Sequence, residues 1–160
     1  MTVELKTKPG IRRWLKQNEI DIKLIEKCLN IILNQIRAVS KDHRELYIKK
    51  YKGSGSGYYF GYDELHITEK LDQNGWSREK KLDTFVGHLL HEFRHWIQDN
   101  MLGVAESKLN YTDQDADNHS RRYCYNKWEV DARRFERRYK KDFIQLYRLL
   151  DKLSTKPDLS

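Results

Sequence analysis

The stretch His91-Glu92-Phe93-Arg94-His95 constrains this chain more than any other. It spells His-Glu-x-x-His among apolar residues at Leu82, Phe85, Val86, Leu89, Leu90, Phe93, Trp96 and Ile97, with no proline from 77 to 99. Steps of three and four predict an amphipathic helix. Residues four apart on a helix stand one above the other, so His91 and His95 can aim their imidazoles at one point and grip a single zinc ion. Glu92, beside the first of them, can then take a proton from a water on the open side of the metal. The three letters alone recur by chance in many chains. The competing reading is an ordinary packed helix whose two histidines face solvent or make hydrogen bonds.

Two histidines leave a catalytic zinc one protein ligand short. A metzincin arrangement is excluded, because its glycine position is Gln98 and its third-histidine position is Met101. The favoured third ligand is Glu129, within Trp128-Glu129-Val130-Asp131-Ala132-Arg133-Arg134-Phe135 on a second helix. That choice makes a set of two histidines and one glutamate. Asp131 is expected to orient a histidine from behind. His119 remains the alternative third ligand, and His88 reads as a helix-surface histidine near the site. His119, Tyr123 and Tyr125 are candidates for stabilising an oxyanion. Asp113, Asp115 and Asp117 open like a calcium loop, but Asn118 and Cys124 stand where its glycine and glutamate belong, so calcium is rejected.

At 160 residues the chain reads as one domain, 1–160, long enough to bury a core without staples. Charged residues make up 34%, yet ten tyrosines and four tryptophans argue against disorder. Cys28 and Cys124 form neither a Cys-x-x-Cys pair nor a disulfide framework, and no run is apolar enough for a signal peptide or a membrane span. A soluble, cytoplasmic protein is expected. The net charge of +7 is concentrated in Arg121-Arg122, Arg133-Arg134, Arg137-Arg138 and Lys140-Lys141. A solvated helix face is the first reading, and weak contact with nucleic-acid phosphate or an acidic partner the second.

In chain order, residues 1–16 read as a leader broken at Pro9-Gly10. A first helix is expected from Asn18 to Val39, with Cys28 as a small core residue. Segments 45–51, 58–62 and 64–68 alternate as strands, and His66 is expected to face outward or to be hydrogen-bonded. Ser77 suits the cap of the metal helix, Gly103 its stop, and a last long helix is expected from Ser120 to Lys156-Pro157. The expected class is α+β, with a small antiparallel sheet of two or three strands packed on a helical core.

The metal helix together with Glu129-x-Asp131-Ala132-x-x-Phe135 resembles the glutamate zincins, and especially the compact ImmA/IrrE-type metallopeptidases. The resemblance covers residues 45–140. It implies His91, His95 and Glu129 as zinc ligands and Glu92 as general base in hydrolysis of a peptide bond in a protein substrate. It also implies a cytoplasmic regulatory protease of the kind found in bacteria and phages. The chain departs from the family pattern at Arg94, where glycine is usual, and at Glu136, where alanine is common. Were His119 the third ligand, the site would instead resemble the three-histidine SprT-type proteases. Outside both stands a basic DNA- or protein-binding module with a vestigial metal site.

Overall fold

A computed structural model describes residues 2–36, 43–52, 55–59, 62–68, 71, 75–103 and 126–154. The architecture is α+β, with elements in the order β1 (Thr2–Thr7), α1 (Pro9–Gln17), α2 (Ile22–Gln35), β2 (His43–Tyr51), β3 (Gly57–Tyr59), β4 (Glu64–Thr68), α3 (Arg78–Asn100) and α4 (Lys127–Ser154). Among the described residues the sheet has four strands in the order β1-β2-β4-β3. It is mixed: β1 runs parallel to β2 and β2 parallel to β4, while β3 alone is antiparallel, to β4.

This corrects the expected antiparallel sheet of two or three strands. The N-terminal residues are no leader, because Val3 and Leu5 alternate with polar neighbours and bury their side chains as β1. Pro9 does not break the chain but begins α1, where its missing N–H costs nothing. The first long helix is shorter than expected. Asp21 caps it, its side chain accepting from Lys23 N at 2.7 Å, and the preceding turn holds Glu19 at φ 52°. The last helix starts later than Ser120, at Lys127, where the Asn126 side chain accepts from Trp128 N at 2.9 Å. Ser77 caps α3 as expected, its hydroxyl accepting from Lys80 N at 3.2 Å.

The core fills the space between the inner face of the sheet and the helices. Leu46, Ile48, Leu65 and Ile67 point inward from the strands; Ile25, Leu29 and Leu33 of α2 and Phe85, Leu89 and Trp96 of α3 meet them. Burial pushes the Cys28 thiol up to about 12, as befits a core residue. The outer face of the sheet carries His66, whose Nε2 donates to Glu64 Oε1 at 2.7 Å and whose ring stacks on Tyr59 at 4.7 Å between centroids. No described helix is long and apolar enough to cross a membrane.

Candidate metal centre

The centre lies between α3 and α4, which pack antiparallel. Gly87 of α3 sits opposite Glu136 and Lys140, His91 opposite Glu129, and Gln98 opposite Trp128 and Asp131. Two small residues let the helices approach. Ala132 is fully buried, and a methyl group at Gly87 would stand 2.9 Å from Glu136 Oε1. Arg94 strengthens the seam. Its Nε donates to Asp131 Oδ2 at 2.7 Å, and its guanidinium lies over the Phe135 ring at 5.3 Å.

His91 and His95, one turn apart, both present Nε2 to the Glu129 carboxylate. The distances are 3.2 Å from His91 Nε2 to Oε2 and 3.0 Å from His95 Nε2 to Oε1. Tetrahedral ligands about 2.0–2.2 Å from a zinc ion stand about 3.3 Å from one another, so the spacing suits a shared cation. Glu129 is only 3% exposed, and its Oε2 has no hydrogen-bond partner of good geometry. A buried carboxylate oxygen left so is costly unless a cation satisfies it. Two imidazoles and one carboxylate therefore form a group that could hold a metal ion.

The outer edges of the ligands are anchored. Gln98 turns its NH2 toward Asp131 Oδ2 at 2.8 Å and the Trp128 carbonyl at 3.1 Å, both pure acceptors. Its Oε1 must then face His95 Nδ1, 2.8 Å away, and can only accept. His95 Nδ1 thus carries a proton, and Nε2 is the nitrogen left to bind a metal. Asp131, expected to orient a histidine, reaches His95 through Gln98. Glu136 puts Oε2 at 3.9 Å from His91 Nδ1.

Electrostatics follow from burial and from these partners. Burial alone would push the Glu129 carboxyl up, but the two imidazoles outweigh it and hold the group well below the ordinary carboxylate range. Burial would lower His95, and Glu129 with Glu92 raises it above the ordinary imidazole value. Glu92 is 4% exposed, and its burial keeps its carboxyl high against the pull of both histidines. The Tyr58 backbone, from edge strand β3, hydrogen-bonds this carboxylate.

A cleft of about 440 Å³ opens beside the centre, lined by His88, His91, Glu92, Arg133, Glu136 and Lys140 among others. His88 is half-buried in its wall, with burial lowering it, rather than on the open surface. Arg133, one turn along α4 from Glu129, reaches within 3.8 Å of Oε2.

The structure thus brings together His91, Glu92, His95 and Glu129. His119, Tyr123 and Tyr125 lie outside the described residues, as do Asp113, Asp115 and Asp117. Sequence reasoning missed Gln98, Glu136 and Arg133. Gln98 had a local signal, three residues after His95 and so on the same helical face. Comparison of the chain with protein-family models, with curated proteins and with solved structures returned no match.

Proposed function

We propose that this chain is a zinc-dependent metallopeptidase that cleaves a peptide bond in a protein substrate. The observation that carries the reading is the convergence of His91, His95 and Glu129 with buried Glu92 on the same turn of helix. A purely structural metal site has no use for a carboxylate so placed.

His91, His95 and Glu129 would hold the zinc. Bound there, it would supply a water with a pKa near 7 and polarise a carbonyl. Glu92, kept basic enough by its dry surroundings, takes a proton onto its carboxylate and delivers it to the nitrogen of the leaving amine. Arg133 lines the same cleft and is the described side chain best placed to stabilise negative charge growing on the substrate oxygen. An extended substrate has a natural seat along β3. This strand is the sheet edge beside Glu92, whereas β4 is paired on both sides.

The test is zinc content and peptide cleavage in the same preparations. The chain is expected to bind one zinc and to cut an unstructured protein such as casein. Glu92→Gln is expected to keep the zinc and lose roughly 10²–10⁴-fold in cleavage rate. Undiminished cleavage by that variant removes the mechanism, and a chain that takes up no zinc removes the whole reading.

A further inference from the structure

Several cations among the described residues are paired with acids. Lys6, Lys23, Arg44, Lys49, Arg78 and Arg94 each lie within 4.0 Å of a carboxylate, as do Arg133 and Lys140 where α4 faces α3. The outer side of α4 differs. Arg134, Arg137, Arg138, Lys141 and Arg148 are all exposed, and none has an ion-pair partner among the described residues. At 3.6 residues per turn these five fall in one sector about 100° wide, and they run about 21 Å along the helix axis. Lys152 extends the same sector by a turn, and Asp142 stands at its flank.

Three of the five acids of α4 do not offset this row, because they are engaged elsewhere; the other two, Asp142 and Asp151, stand at its flank and at its end. Glu129 faces the two histidines, Asp131 holds Arg94 and Gln98, and Glu136 lies toward His91. Nor is the row flat. It borders a cleft of about 580 Å³ lined by Arg137, Lys140, Lys141, Gln145 and Arg148. That cleft shares Asp83, Glu136 and Lys140 with the one at the metal centre, so the two are continuous.

We propose that this stripe is a binding surface for the phosphate backbone of duplex nucleic acid, independent of base sequence. A straight row of cations one to two helical turns apart matches a rod-like polyanion charged along its length. Four of the five are arginines, whose planar forks bind phosphate oxygens in pairs. The apolar positions Ala132, Phe135, Phe143 and Tyr147 of α4 are buried in the core, and its exposed leucines, Leu149 and Leu153, lie in its last turns outside the row, so the row itself offers no apolar face to lay into a bilayer. No aromatic side chain interrupts the sector to anchor a folded acidic protein. The proposal does not depend on peptidase activity.

The experiment is fluorescence anisotropy of a labelled 20-base-pair duplex of arbitrary sequence, titrated with the full chain at several salt concentrations. Five phosphate contacts predict that log K falls with log salt at a slope near −4.5, roughly a 10²–10³-fold loss from 50 to 200 mM. R134Q/R137Q/R138Q/K141Q/R148Q, checked for folding by circular dichroism, is expected to abolish the salt-dependent binding. R134Q/R138Q/R148Q is expected to flatten the slope by more than half. A control that neutralises Arg13, Lys16, Lys23, Lys27 and Lys52 changes net charge equally and is expected to bind nearly as the parent does. Glu92→Gln is expected to bind as the parent does, which separates this proposal from the peptidase reading. Equal losses in stripe and control variants overturn it. So does polyglutamate competing as well as DNA at equal charge, or binding to anionic vesicles with none to the duplex.

Discussion

On the outer face of the sheet, His66 Nε2 lies 2.7 Å from Glu64 Oε1, its ring stacked between Tyr51 and Tyr59. Between α3 and α4, His95 Nε2 lies 3.0 Å from Glu129 Oε1, with His91 Nε2 at 3.2 Å from the other oxygen. Histidine exposure is alike in the two places, 8% for His66 and 7% for His95. Pairing and burial therefore do not distinguish them. What differs is convergence. Glu64 and His66 sit two apart on one strand and so share a face, a local arrangement that satisfies both groups. Glu129 comes from a helix far along the chain, meets two imidazoles at once, and still leaves an oxygen unsatisfied. The first pair is complete without a ligand, and the second is not.

The sharpest way to break this contrast is to remove each carboxylate in turn. Glu129→Ala is expected to weaken zinc binding by well over 100-fold, since even orienting partners are worth about 10–100-fold. Glu64→Ala is expected to leave zinc unchanged. Zinc-chelator competition measures both, and a comparable loss in Glu64→Ala would erase the distinction. Next in size is Gln98→Ala, which frees the His95 ring and is expected to loosen zinc about 10–100-fold without removing a ligand. Asp131→Ala acts one bond further out, through Gln98, and is expected to cost less, about 10-fold or under. A larger effect from Asp131 than from Gln98 would mean that the order of this chain is misread. The smallest effect belongs to the sheet pair. Glu64→Gln is expected to cost the metal-free protein about 1 kcal/mol or less in urea unfolding, the worth of one hydrogen bond partly open to water.

Cys28 offers an independent check that the core is closed. Its thiol is pushed up to about 12 by burial, so iodoacetamide at neutral pH is expected to label it only in denaturant, as read by peptide mass spectrometry. Labelling in the native chain would mean that α2 opens readily.

Local signals were read well where a single periodicity decides. The apolar steps of α3 and its serine cap depend on neighbours within two turns, and both stand as expected. β1 is legible in the alternation of Val3 and Leu5, whereas Pro9-Gly10 has the composition of a chain break and yet starts a helix. The mixed sheet was not legible. Strand direction is set by which strand each one finds across space, and β4 finds β2 only after the chain has gone out to the edge and returned.

What the sequence alone determined is the helix that carries His91, Glu92 and His95, because helical spacing places those side chains whatever surrounds them. It also singled out Glu129 as a residue of the right chemistry. Only the tertiary structure decided that Glu129 reaches both imidazoles, that Gln98 holds the ring of His95, and that Arg94 ties α3 to α4. Each of these depends on how closely and at what height two helices pack. Packing is the outcome of every buried side chain together, whereas a helical repeat is read from a few residues at a time.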